Sequence, residues 1–164
     1  VAFPGYYGVG LPALGVTAEL TATHHVGVHR YTFAAGKQPR LLIHVSSALG
    51  KSQSKNAEVR ILPNAKEIEG SVETFGTFSK RYGGLKTWFV ARVSHPFSTF
   101  ATRNGESSLA GQSQMKGDDL GVDLGFLKQD EQQKIELRLA ISCVRCQCIM
   151  WPTAGRRMCM VSGT

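Results

Sequence analysis

Long apolar runs and helical periodicity are both missing from this sequence. No stretch approaches the roughly 18 consecutive apolar residues that a membrane-spanning helix needs. No segment repeats its apolar residues at the three- or four-residue spacing of an amphipathic helix, and no internal repeat is visible. We therefore predict neither a transmembrane helix and membrane partner nor a helical domain.

Cysteine is missing from the start of the chain and then occurs four times near its end, at Cys143, Cys146, Cys148 and Cys159. So late a cluster does not resemble the spaced framework of a disulfide-stabilised domain. The first two cysteines have the spacing of half a zinc site, but no second pair completes a tetrahedral set. The period-two alternation of the earlier sequence also stops here. We interpret residues 145–164 as an irregular Cys- and Met-rich tail to a domain of residues 1–144. A shifted reading frame or a misjoined exon would explain the tail as non-native sequence.

Concentrated positive charge is absent, although the formal net charge is +7. The longest basic runs are the pairs Lys80-Arg81 and Arg156-Arg157. Nucleic-acid-binding proteins usually collect such residues into a patch or stripe on one face. In residues 134–141 the cations instead alternate with apolar residues, which is typical of the solvated face of a strand. We predict no nucleic-acid partner.

An initiator methionine and a leader segment are also absent. Val1 is followed almost directly by the first strand-forming residues. We interpret this abrupt start as a sandwich that has lost its first strands. The missing leader therefore says nothing about secretion of the parent protein.

Short strands joined by tight turns are what the sequence does contain. Glycine accounts for 18 of the 164 residues, which exceeds the ~7% typical of soluble proteins. Residues 4–33 indicate three antiparallel strands, which begin at Tyr6-Tyr7 and continue at 16–23 and 28–33. Within 16–23, apolar side chains alternate with threonine and glutamate. That alternation predicts a sheet with one buried and one solvated face.

Further strand-forming segments follow along the chain, at 40–45, 58–62, 67–72, 87–93 and 134–144. The first of these fits a central strand, and the second and third form a hairpin around Pro63-Asn64. Residues 118–128 fit a strand or a wide turn, whereas the polar segments 50–56 and 104–117 predict loops. This spacing of short strands predicts an all-β fold, a β-sandwich.

Two groups of polar residues offer metal ligands, and neither completes a site. The groups are His24, His25 and His29, and Asp118, Asp119 and Asp123. The last two histidines share a strand face, but two imidazoles without a third ligand make a weak site. The carboxylates suit calcium but lack the spacing and terminal glutamate of an EF-hand loop. We assign no metal ligand on this chain.

The sequence of residues 4–33, which contains PGYYGVG followed by ELTATHHVGVHRYTF, resembles the N-terminal β-sandwich domain of glycoside hydrolase family 92, the calcium-dependent exo-α-mannosidases. Later segments fall in the order expected for that domain, at 57–71, 88–97 and 135–144. His25 stands where the family usually has arginine, residues 71–85 are only loosely similar, and the resemblance ends after Val144. It implies a galactose-mutarotase-like β-sandwich (a supersandwich), incomplete in this fragment.

The resemblance also implies where the chemistry lies. In family 92 the catalytic acid, the base and the calcium site belong mainly to a second, C-terminal (α/α)6 domain, which we expect to be absent here. Glu19, Glu67 and Glu69 are predicted to be solvent-exposed, so we assign no catalytic residue and no cofactor to this chain. The implied ligands are mannose-containing glycans such as N-glycans, and the implied parent protein is secreted, periplasmic or surface-associated. A free-standing carbohydrate-binding module and an inactive structural remnant remain as alternatives.

Two residues are predicted to contact sugar. Tyr82 lies between Arg81 and the pair Gly83-Gly84, which favours an exposed aromatic platform beside a guanidinium. Trp88, flanked by apolar residues, is predicted to lie in the core.

Overall fold

Two antiparallel sheets pack face to face in the computed structural model, which describes residues 1–143 and two short strands of the tail. The strands are β1 Ala2–Phe3, β2 Tyr6–Leu11, β3 Val16–Ala22, β4 Val26–Phe33, β5 Arg40–His44, β6 Gln53–Leu62, β7 Glu67–Phe75, β8 Leu85–Val93, β9 Thr99–Asn104, β10 Ser107–Ala110, β11 Gln114–Gly117, β12 Leu120–Gly125, β13 Gln133–Ser142, β14 Cys148–Met150 and β15 Arg157–Cys159. The large sheet has the order β1-β2-β3-β4-β13-β8-β7-β6-β11, and the small sheet has the order β10-β9-β12-β5. The predicted all-β sandwich is confirmed.

The first strands of the large sheet form where the sequence predicts them. β2, β3 and β4 pair antiparallel in sequence order. On β3, Ala18 is buried whereas Thr17 and Thr21 are exposed, so the period-two alternation does separate an inner from an outer face.

The hydrophobic core lies between the two sheets. β12 of the small sheet contributes Leu120, Val122 and Leu124, each fully buried. Opposite them, the large sheet contributes Ile68 of β7 and Ile135 of β13, which are also fully buried. Each large apolar side chain removed from water in this way stabilises the fold by about 1.5–3 kcal/mol. The packing therefore places the even-numbered residues of β8 and the odd-numbered residues of β7 on the outer face of the large sheet.

That outer face carries a row of ion pairs across neighbouring strands. Arg30 on β4 binds Glu136 on β13 at 2.9 Å and lies 3.8 Å from Glu19 on β3. Arg138 lies 3.5 Å from the other oxygen of Glu136. The hydrogen bonds from Arg30 hold the pKa of the Glu136 carboxyl below its usual value. The prediction that the charged residues of 134–141 form a solvated strand face is confirmed.

Three predictions about strand position are wrong. β5 lies at the edge of the small sheet, not at its centre. β6 already begins at Gln53, within the predicted loop 50–56, and the predicted loop 104–117 contains β10 and β11. β10 and β11 are the edge strands of their sheets. Edge strands pair through backbone groups and bury little of either face, so they need no apolar alternation that a sequence could reveal.

The described helical segments are two 3₁₀ turns, Pro63–Ala65 and Ser79–Tyr82, and each is too short to cross a membrane. The irregular tail predicted at 145–164 lies outside the described residues, apart from the antiparallel pair β14–β15. Cys143 is described and is exposed, whereas the side chains of the other three cysteines lie outside the described part.

Candidate functional site

The predicted sugar-contacting residues lie on the turn between β7 and β8, residues 76–84, which we call the 76–84 turn. Ser79 organises it, because its Oγ accepts a hydrogen bond from the Gly76 amide at 2.7 Å and donates one to the Thr74 carbonyl at 2.9 Å. The chain then reverses through Gly83 and Gly84, with φ values of 82° and 93°. A Cβ on Gly84 would lie 2.7 Å from the Phe75 ring, so both space and backbone conformation require glycine there.

This geometry presents two aromatic rings and two cations to solvent. Tyr82 is 79% exposed and Phe78 is 86% exposed, and Lys80 and Arg81 are exposed beside them. Among the described residues, no carboxylate lies within ion-pairing distance of Arg81. Its guanidinium is therefore available as a planar set of hydrogen-bond donors. Arg81 and Tyr82 therefore lie side by side on one solvent-exposed turn.

The candidate calcium ligands are not brought together. Asp118 accepts a hydrogen bond from the Asn56 amide, Asp119 contacts His44 at 2.9 Å, and Asp123 pairs with Arg40. Calcium requires six to eight oxygen ligands around one point. These carboxylates instead bind three separate partners, and the described residues do not form a calcium site.

The candidate histidine ligands are not brought together either. His24 and His25 lie exposed in the connection between β3 and β4. His29 is half-buried on β4, and its Nδ1 lies 3.0 Å from the hydroxyl of Tyr31. Burial lowers the pKa of His29, because the charged imidazolium would lose hydration. No group of three potential ligands converges in the part of the chain that the structure describes.

Glu67 is buried, so the prediction that it is solvent-exposed is wrong. Its side chain is almost fully buried on the outer face of the large sheet, and Nε of Arg92 donates a hydrogen bond to its Oε1 at 2.5 Å. Glu19 and Glu69 are partly exposed, and each pairs with an arginine of a neighbouring strand. The sequence places Glu67 beside a turn, but its counter-charge comes from a strand 25 residues later.

The prediction that Trp88 lies in the core is wrong. The core-facing residues of β8 are Phe89, Ala91 and Val93, so period two puts Trp88 on the opposite, outer face. It is partly exposed there, and the Lys86 ammonium lies 5.8 Å from its ring centroid. The sequence already contained this information. Trp88 and Arg92 are both even-numbered residues of β8, so the alternation of the strand places them on the same face.

The comparisons with known proteins point to one family. The sequence matches the glycosyl hydrolase family 92 N-terminal domain over residues 1–142. No curated protein matches it.

Solved structures of GH92 enzymes have the same fold. A GH92 α-mannosidase from Bacteroides thetaiotaomicron, also solved in complex with mannoimidazole, has a TM-score of 0.73 at 21% identity. That match covers 86% of this chain and 19% of the α-mannosidase. A GH92 inverting mannosidase from the same organism gives 0.73 at 20% identity, with 88% and 18% covered. The GH92 family glycosyl hydrolase ccman5 gives 0.71 at 25% identity, with 85% and 19% covered.

The chain therefore spans about 19% of the length of the α-mannosidase it resembles in structure. The family match nevertheless covers all of the residues that form the two sheets. This chain belongs to glycosyl hydrolase family 92, and residues 1–142 are the N-terminal domain of that family.

Proposed function

We propose that this domain supports the catalytic part of an α-mannosidase and contacts mannose-containing glycans through Arg81 and Tyr82. The family match over residues 1–142 is the observation that carries the proposal. Similar domains make up less than a fifth of the solved mannosidase chains, so the catalytic carboxylates and calcium have room elsewhere in such a protein.

The 76–84 turn has the chemistry that a sugar ring needs. One face of a hexose carries C–H groups that pack on an aromatic ring, and its hydroxyls accept hydrogen bonds from a guanidinium. Tyr82 and Arg81 offer both groups on adjacent residues of one turn, and both are exposed. The hydrogen bonds of Ser79 order that turn before any ligand binds, which lowers the entropy lost on binding.

We expect Tyr82→Ala to weaken the binding of α-linked mannotriose to the 164-residue chain at least about tenfold, or about 1.4 kcal/mol. Tyr82→Phe should bind nearly as well as the unchanged chain, because it keeps the ring. Calorimetric titration gives the Kd values, and Tyr7→Ala, which removes an exposed tyrosine on β2, is the matched control. If the backbone amides of residues 81–84 show no NMR shift on saturation with the glycan, the platform proposal is wrong.

We also expect the 164-residue chain to hydrolyse no α-mannoside, with or without calcium. Glycoside hydrolysis needs two carboxyl groups flanking the scissile bond, one of them held protonated. All 12 Asp and Glu residues of the chain lie in the described part, and nine of them contact a basic side chain or an amide donor. The remaining three, Glu106, Asp130 and Glu131, are exposed. Turnover of p-nitrophenyl α-mannoside above a buffer blank, reproduced with an independent preparation, would contradict this.

A further inference from the structure

A polar groove lies on the outer face of the large sheet, away from the core and separate from the 76–84 turn. We call it the Trp88 groove. It has a volume of about 580 Å³ and lies across β8, β7, β6 and β11. Its side chains include Glu58, Arg60, Glu69, Trp88, Gln114 and Lys116. Ligand-binding clefts typically enclose roughly 300–1,000 Å³, so the groove is large enough for a small oligosaccharide.

The strand register explains why these side chains converge. Arg60 on β6 is opposite Glu69 on β7 and opposite Gln114 on β11. Residues directly opposite one another on paired strands have side chains on the same face. Three consecutive strands, β6, β7 and β8, and the later strand β11 therefore place their outer-facing polar groups around a single depression.

Trp88 supplies the aromatic surface of the groove. Its ring is partly exposed, and the ammonium of Lys86 lies near one side of it. Ser71, directly opposite Trp88 on β7, is buried and lines the groove with a small polar side chain. The small side chain leaves space beside the indole.

The charges of the groove balance. Arg60 lies 3.5 Å from Glu69, and Lys116 lies 2.7 Å from Glu58. A free anion would meet two carboxylates, and a free cation would meet two basic groups. Hydroxyl groups can donate to the carboxylates and accept from the cations, and the Gln114 amide can do either.

We propose that the Trp88 groove binds a neutral, hydroxyl-rich sugar unit, as a glycan-binding site distinct from the 76–84 turn. The choice of a mannose-containing ligand rests on the proposed function, whereas the neutral sugar class follows from the aromatic surface and the balanced charges.

We expect the groove to bind a sugar without hydrolysing it, because each of its two carboxylates is paired with a basic side chain, Glu58 with Lys116 at 2.7 Å and Glu69 with Arg60 at 3.5 Å. Hydrogen bonding by Lys116 also lowers the pKa of Glu58. A glycosidase acid requires the opposite shift, because it must carry a proton at neutral pH.

The test is an NMR titration of the ¹⁵N-labelled 164-residue chain with α-linked mannotriose. Trp88→Phe assigns the indole signal of Trp88, since the chain has two tryptophans. We expect the Trp88 indole and Gln114 amide signals to shift, also in the Tyr82→Ala variant. Gln114→Ala should weaken this response at least about fivefold, whereas Gln132→Ala, which changes an exposed glutamine outside the groove, should not.

The outcomes separate the two proposals. If only the amides of residues 81–84 shift, the groove proposal is wrong and the platform at Tyr82 stands. Shifts confined to the groove would support the groove and reject the platform, and no shift at either place rejects both. Equal shifts on titration with inorganic phosphate would also overturn the groove proposal, because they would show that it accepts anions.

Discussion

We expect the replacement of Arg92 by methionine to lower the free energy of unfolding by about 3 kcal/mol, more than the replacement of Glu67 by glutamine. Glu67 is 1% exposed, so without its guanidinium partner an ionised carboxylate stays buried and uncompensated, a loss of roughly 3–5 kcal/mol. The lower end applies because Arg138 lies opposite Arg92 on the next strand, so a second positive charge remains on the same face of the sheet. Urea unfolding followed by circular dichroism measures the difference.

The Glu67→Gln substitution should lower the free energy of unfolding by only about 1–2 kcal/mol. The Arg92 side chain that remains is about 36% exposed and can reach water, and the glutamine oxygen still accepts a hydrogen bond. The double variant should be more stable than the sum of the two single effects indicates, because it removes both charges together. Strict additivity, or a larger effect from Glu67→Gln than from Arg92→Met, would contradict the burial of the carboxylate.

Gly70→Ala is the second substitution with a large expected effect. Gly70 lies on β7 between β6 and β8, and its added Cβ would collide with the Glu58 carbonyl oxygen and lie 2.8 Å from the Phe89 ring. The carbonyl belongs to the paired strand and cannot rotate away, so the strands must separate or Phe89 must leave the core. We expect a loss of about 3 kcal/mol, the upper end for an overpacked core. The melting temperature should fall by roughly 6–12 °C for a chain of this size.

Gly10→Ala is the matched control for that substitution. Gly10 is also a strand glycine, on β2, but an added Cβ there meets no atom within 4 Å. Its effect on stability should remain within about 0.5 kcal/mol. If the Gly70→Ala and Gly10→Ala variants melt at the same temperature, β6 and β7 do not approach each other as closely at Gly70 as in this structure.

Some features of the outer face required knowledge of which strands become neighbours. The buried state of Glu67 depends on Arg92, and the Trp88 groove combines groups from residue 58 to residue 116. The period-two alternation of β8 is enough to place Trp88 on the same face as Arg92. The alternation alone could not show that Arg60, Glu69 and Gln114 would surround the same depression.

The sequence by itself determined the all-β class, the family and most strands, because these follow from local properties. Period-two alternation at residues 16–22, the turn at Pro63-Asn64 and the paired glycines at 83 and 84 act within a few residues. Only the tertiary structure decided that β5 lies at an edge, that β10 and β11 form, and that Glu67 is buried. The physical reason is that edge pairing uses backbone groups common to every residue, whereas the burial of a charge depends on a partner supplied by another strand.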